Sequence, residues 1–189
     1  GVVTNYETAF ASSITSWALE MNPGLPVYNE DGTYVYENNT SKPAVGNPVQ
    51  DANEYMQRTK SGRVLANIFG ELDIYKGLGF RSSLGIDYVN IKDQNFASKD
   101  IKRGESNNGN ASIGNAEGYI WVWENTFKYN NTFAGKHVVD AVAGMTAQKY
   151  VTESSAIAVD DIEDGRLGYK SIQSASKTQL STSNHTSSQ

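Results

Sequence analysis

The chain contains no cysteine. That excludes disulfide staples, thiolate metal sites and a cysteine nucleophile. It has only two histidines, His137 beside a turn and His185 in a polar tail, and neither has the neighbours of a general base or a metal ligand. Nucleophile-elbow, HExxH and phosphate-loop patterns are absent, so nothing supports an enzyme and no cofactor is implied. No run of 18 apolar residues occurs, which excludes a membrane-spanning helix. It does not exclude a membrane barrel, whose alternating strands keep the mean hydropathy low, here −0.51. The net charge is −5 with no basic patch, which argues against nucleic acid as a partner. No export signal is present and the chain starts at Gly1, which in a piece of a longer protein says nothing about export. What the chain does have is tyrosine, 11 of them, with 3 tryptophans against 3 methionines in 189 residues. That bias points to β structure or to a polar-aromatic binding surface.

The most informative stretch runs from Arg63 to Asn90. Val64, Ala66, Ile68, Gly70, Leu72 and Ile74 share one side of a period-two pattern. Arg63, Asn67, Glu71 and Asp73 share the other, with Leu65 and Phe69 among them. After Lys76-Gly77 the alternation resumes, with Leu78, Phe80, Leu84, Ile86 and Tyr88 on one face and Arg81, Ser83 and Asp87 on the other. Such alternation describes strands with one dry and one wet face, joined here as an antiparallel hairpin. The dry faces coincide only if paired residue numbers sum to an even value. A three-residue loop, Tyr75-Lys76-Gly77, with Gly77 in the left-handed region, meets that condition. It sets Ile74 against Leu78, Leu72 against Phe80, Ile68 against Leu84 and Glu71 against Arg81. A two-residue loop at Lys76-Gly77 would oppose apolar to polar residues throughout. Each strand is about twice the usual 5–6 residues and reaches the 9–11 needed to cross an outer membrane. A long hairpin of a soluble sandwich has the same pattern.

A second hairpin is predicted over 119–150. Tyr119, Trp121, Trp123, Phe127 and Tyr129 share one face, and Glu124 and Lys128 share the other. The turn falls within Asn130 to Lys136. The return strand carries small apolar residues (Val139, Ala141, Ala143, Met145, Ala147) opposite a wet face that includes Asp140. Elsewhere the chain reads as loop. Residues 1–62 carry a weakly periodic helix from Ala9 to Glu20 and a small hairpin turning at Glu30-Asp31-Gly32. Asp51 to Lys60 is either a short helix or the approach to the first long strand. Residues 92–118 are Gly- and Asn-rich, and 151–189 end in a polar tail expected to be mobile. Short joins inside the hairpins and long segments outside them are the asymmetry of transmembrane barrels.

Two groups of side chains are candidates for function. Trp17, Tyr28, Tyr34 and Tyr36 are loop aromatics that either stack on a substrate such as a sugar or pack the loop onto itself. The wet-face residues Arg63, Glu71, Asp73, Arg81, Asp87, Glu124, Lys128 and Asp140 either line a lumen or form a structural lattice of ion pairs. The Asp160–Asp164 cluster has carboxylate oxygens suited to Ca²⁺ but not the ligand spacing of an EF-hand, so it reads as a solvated acidic loop.

Five ordered segments carry a resemblance. They are LPVYNEDGTY (25–34), NPV (47–49), RVLANIFGELDIYKGLGFRSSLGIDY (63–88), ENTFKYNNTFAGKHVVDAVAGMTAQKY (124–150) and LGYKSIQSAS (167–176). Together they resemble the barrel region of SusC-like (RagA-like) TonB-dependent outer-membrane transporters. Ala134, beside the turn glycine, and the loop from Asn107 to Gly118 depart from the pattern. The resemblance implies an all-β fold, in which antiparallel long-strand hairpins form part of a transmembrane barrel of about 22 strands. It implies long extracellular loops at 1–62, 92–118 and 151–189 and membrane hairpins at 63–91 and 119–150. It also implies import of oligosaccharide or peptide, with a SusD-like surface lipoprotein as partner, the TonB system acting through parts outside this chain, and outer-membrane lipid around the wall. Four long strands cannot close by themselves, since single-chain barrels begin at about eight. A piece of a larger protein is therefore expected. The alternative from another class is a soluble β-rich surface module for carbohydrate binding or adhesion.

Overall fold

The computed structural model describes residues 1–9, 14–37 and 46–188. Phe10 of the expected first helix and most of the turn-rich stretch from Asn38 to Pro48 lie outside these residues.

Six strands follow one another as nearest neighbours in a single antiparallel sheet. They are β1 (Val2–Ala9), β2 (Met56–Tyr75), β3 (Leu78–Ala97), β4 (Asn110–Phe133), β5 (His137–Ile162) and β6 (Ala175–Ser188). The central four are 20, 20, 24 and 26 residues long, far beyond ordinary globular strands. Three short helices sit off the sheet: α1 (Ile14–Glu20), α2 (Pro48–Glu54) and α3 (Lys102–Glu105). A 3₁₀ segment spans Gly165–Ser174.

The register of the first long hairpin follows the even-sum rule. Leu72 faces Phe80, Ile68 faces Leu84 and Glu71 faces Arg81. The tip differs from the expected three-residue loop. Tyr75 pairs with Leu78 across a two-residue turn, and a bulge between Asp73 and Tyr75 absorbs the extra residue. The bulge restores the parity that a two-residue turn alone would break. Gly77 sits at φ +78°, as the left-handed position requires. In the second hairpin Phe133 pairs with His137, and Ala134 and Gly135 both take positive φ.

The strands run further than alternation predicts. β3 continues to Ala97 and β4 begins at Asn110, so only 98–109 connects them. β2 begins at Met56, and β1 pairs with its first half. The expected mobile tail is β6, in register with β5 from Tyr150 to Ile162 apart from one shift. The reason is common to all three. In these extensions the few apolar residues are interrupted by polar ones on both faces, so no continuous dry side marks the period. The backbone ladder is supplemented by side-chain bonds such as Thr59 to Asp93 (2.6 Å) and Asn95 to Ser112 (3.2 Å).

The hydrophobic core lies at one end of the sheet. Phe96, Ala111, Val159 and Ile162 form a small core, over which Tyr169 and Ile172 of the 3₁₀ segment pack. Gly165 lies so close to Phe96 that a Cβ there would meet its ring at 2.7 Å. Below this crown the sheet is a single layer. Ile68 and Leu72 are 69% and 63% exposed, and no second layer covers them among the described residues.

Candidate functional site

The two faces of the sheet differ in chemistry. Opposite partners share a face, so the apolar face can be read across the strands row by row. One row is Ile68, Leu84, Trp123 and Ala147. Two residues from it lies the row Ala66, Ile86, Trp121 and Lys149. Large rings lie beside small residues, as in Trp123 with Ala147 and Phe127 with Ala143. Phe80 and Phe127 rings touch at 4.7 Å between centroids. The row nearest the crown carries Tyr88 and Tyr119, and the last row of β3 pairs Leu78 with Tyr129. Roughly ten residues separate these two rows. At about 3.3 Å per residue and about 40° of tilt they span roughly 25 Å, the height of an outer-membrane apolar band. One row beyond Tyr88 and Tyr119 the same face becomes polar, with Asn90, Glu117, Glu153 and His185 in line. Asn90 and Tyr88 bond to Glu117, and Glu153 meets His185 at 2.9 Å.

The polar face carries all eight charged residues picked out from the sequence. Arg63 donates from Nε and Nη2 to the two Asp87 oxygens at 2.8 and 2.6 Å. Arg81 donates to Glu71 at 2.6 Å while its guanidinium lies 4.4 Å from the Phe69 ring. Glu124 accepts from Ser83 at 3.3 Å, and Asp140 from Asn130 at 3.4 Å. Asp73 stands opposite Gly79, and Gly79 opposite Lys128. Arg63 and Asp87 are diagonal neighbours, so their pairing was not evident from direct opposition. Beside this pair, Leu65, Asn67, Gly85, Asp87, Ile120 and Val122 line a shallow groove of about 570 Å³.

The crown holds the four candidate aromatics. Asn47 organises them: its Oδ1 caps α2 by accepting from the amides of Val49 and Gln50, and its Nδ2 donates to the carbonyls of Val27 and Val35. The small hairpin is thereby fixed to α2. Its expected turn is present, with Gly32 bonding back to Asn29 and Tyr28 bridging Tyr34. Tyr28 and Tyr34 rings lie 5.1 Å apart. Tyr34 accepts from Asn53, and Tyr36 bonds Gln50 and the Asp100 carbonyl. Trp17 covers the Arg103 guanidinium at 4.5 Å. Three of the four rings are thus engaged within the crown, while half of Tyr28 is exposed.

Arg103 was missed in the sequence. It lies between Trp17 and Tyr55, 4.7 Å from the latter, and meets both oxygens of the buried Asp51 at 3.0 and 2.8 Å. Burial pushes the Asp51 carboxyl up, and Arg103 opposes the shift. No local signal announces a pair 52 residues apart.

The acidic cluster is dispersed among separate partners. Asp160 takes Asn107, Asp161 takes Asn108 and Ser176, and Asp164 takes Arg166. Those bonds hold Asp161 below the ordinary carboxylate range and bring Asp164 to about 2. No group of metal-ligating side chains is found among the described residues.

No protein-family profile matches the chain. Among curated proteins, TonB-dependent receptor P3 of Formosa agariphila is 25% identical over 180 residues, covering 94% of this chain and 18% of that protein. TonB-dependent receptor P26 of the same organism is 25% identical over 165 residues, 85% of this chain and 16% of that protein. TonB-dependent receptor P39 is 28% identical over 135 residues, 70% and 12% respectively. The chain therefore spans less than a fifth of the length of the curated relatives it matches. In three dimensions it is similar to the RagAB peptide transporter, with a TM-score of 0.66 at 16% identity, over 85% of this chain and 18% of that one. These relatives are named as receptors and a transporter, not enzymes. Sequence and architecture thus agree at the level of a fragment: the chain resembles the barrel region of SusC-like (RagA-like) TonB-dependent outer-membrane transporters.

Proposed function

We propose that this chain forms part of the wall of an outer-membrane active transporter that imports oligosaccharide or peptide without chemical change. In this reading 63–91 and 119–150 contain the membrane hairpins. The turns at Lys76-Gly77 and Ala134-Gly135 face the periplasm, and the crown faces the cell exterior. The polar-face charges Arg63, Glu71, Asp73, Arg81, Asp87, Glu124, Lys128 and Asp140 line the lumen. A SusD-like surface lipoprotein is the partner, and the TonB system acts through other parts of the protein.

The observation that carries the reading is the uncovered apolar face. It is bounded by tyrosines at a spacing of roughly 25 Å and turns charged one row further on, at Glu117 and Glu153. In water an exposed apolar area of this extent is unfavourable, at about 25 cal/mol per Å². In lipid it is the required surface. A soluble module would need a second layer over Ile68, Leu84 and Trp123, and none is present among the described residues.

The test is single-cysteine labelling of the full-length transporter in bilayers. Fluorophores at Ile68, Leu84 and Met145 should be quenched by lipids brominated in their acyl chains. Fluorophores at Asn67, Ser83 and Thr146 should respond only to a water-soluble quencher. The reverse pattern, or equal quenching at both sets, would refute the lipid-facing assignment.

A further inference from the structure

The apolar face of the sheet carries lysines, and they gather about one level. Lys149 stands in the row of Ala66, Ile86 and Trp121, one row inside Tyr88 and Tyr119. Lys60 and Lys92 stand two rows beyond those tyrosines and face each other directly across β2 and β3. The rows from Leu84 down to Leu78 carry no charged residue on this face.

Two features of these lysines call for an anion. Like charges directly opposite each other on a strand pair repel. Glu7 is in register with Lys60 on its other side, but from Lys92 the row continues through Asn115, Ser155 and Ser183, all neutral. The second feature is depth. An ammonium on a lipid-facing band is unfavourable unless its stem carries it to the boundary. Both Lys92 and Lys149 are half-buried, and neither has a hydrogen-bond or ion-pair partner among the described residues. The nearby carboxylates are engaged elsewhere: Glu117 accepts from Tyr88 and Asn90, and Glu153 meets His185.

Both features are relieved by one ligand. At about 3.3 Å per residue and about 40° of tilt, Lys149 lies roughly 5 Å inside the tyrosine row and Lys92 roughly 10 Å beyond it. Flexible stems bring the ammonium groups towards the level between them, where lipid headgroups meet the acyl chains. Phosphate at that level faces the uncompensated cations. Asn90 and Asn115, between the two lysines, offer amides to headgroup hydroxyls.

We propose that Lys60, Lys92 and Lys149 hold the phosphate-bearing headgroup of an outer-leaflet lipid against the wall, level with Tyr88 and Tyr119. The proposal rests on the transporter reading above, which puts this face in lipid. It adds a preferred lipid to a surface defined so far only by its apolarity.

The experiment uses the full-length transporter in detergent, with bound lipid counted by native mass spectrometry. The probes are a bisphosphorylated diglucosamine lipid and the same lipid without its phosphates. Heat-modifiable gel mobility confirms that each variant is folded. The parent should bind the phosphorylated form about tenfold more tightly. Lys60→Gln, Lys92→Gln and Lys149→Met together should abolish that preference. Lys92→Arg should keep it, because the charge is kept. Lys99→Gln, at an exposed lysine of the loop between β3 and β4, should also keep it. Equal binding of the two lipids by the parent, or an unchanged preference in the triple variant, refutes the lipid site while the transporter reading stands. Displacement of the lipid by millimolar inorganic phosphate would make this a site for the free ion and overturn the lipid assignment. If fluorophores at Ile68, Leu84 and Met145 escape quenching by brominated lipids, the lipid-facing assignment falls and takes this site with it.

Discussion

At Arg103 two hydrogen bonds and two ring faces converge on one planar cation. Lysine could keep the charge but not a planar cation that lies between two rings while its Nε reaches both carboxylate oxygens. Removing the cation strands the Asp51 carboxylate, which is only 1% exposed. Arg103→Ala should therefore loosen the crown by about 3–5 kcal/mol. Hydrogen exchange of the α2 amides in the full-length protein would report it, and unchanged protection would contradict the fastening role. A second residue-scale expectation concerns acid. Asp161 is held below its ordinary value by Ser176 and Asn108. Its contribution is thus fully present above the unfolded carboxylate value, near about 4, and is lost as pH falls through the lower folded value. The backbone bonds it accompanies run from the Asp161 and Ile162 amides to Asn107 and Asn108. Protection of those two amides, corrected for intrinsic exchange, should drop on acidification in the parent. It should show no such step in Asp161→Asn.

For the elements, legibility depended on having one dry face. Between Arg63 and Tyr88 the alternation gave the strands, their pairing and the Glu71–Arg81 contact, because apolar residues recur on one side only. From Asn90 to Phe96 and from Thr152 to Ser188 that contrast vanishes, and the strands there resembled loop although they pair as regularly as the rest. The Arg63–Asp87 pair was hidden for a different reason. It is diagonal, and only the length of the arginine side chain lets it close. The turn glycine yields a sharp prediction. At Gly77 a Cβ would approach the Asn130 carbonyl oxygen to 2.1 Å, at a φ of +78°. Gly77→Val should cost more than the roughly 1–2 kcal/mol of a left-handed side chain alone, because the neighbouring β4 backbone must also move. Thermal unfolding of the full-length protein in detergent measures it. A melting temperature equal to the parent's would show that the turn is not constrained as described.

As a whole, among the described residues, the sheet has two free edges, β1 and β6, and an apolar side without a cover. Expressed alone in detergent-free buffer, the chain should associate through both features instead of giving a folded monomer. Sedimentation velocity decides this, and a sharp monomeric boundary with cooperative melting would instead favour the soluble surface module. At this scale the sequence revealed that the hairpins belong to something larger, since four strands do not close. Beyond the small hairpin it did not reveal how the crown is held together, since bonds such as Arg103 to Asp51 and Gln50 to the Asp100 carbonyl join residues about fifty positions apart and leave no periodic trace.

The row of Asn90, Glu117, Glu153 and His185 immediately beyond the tyrosines has a mechanical corollary. Sinking the sheet by one row would drag carboxylates among acyl chains, and raising it would lift the Tyr88 and Tyr119 row into water while drawing the Lys76-Gly77 turn towards the acyl chains. Vertical travel is opposed in both directions. Anything sliding through the interior would therefore push against a stationary frame.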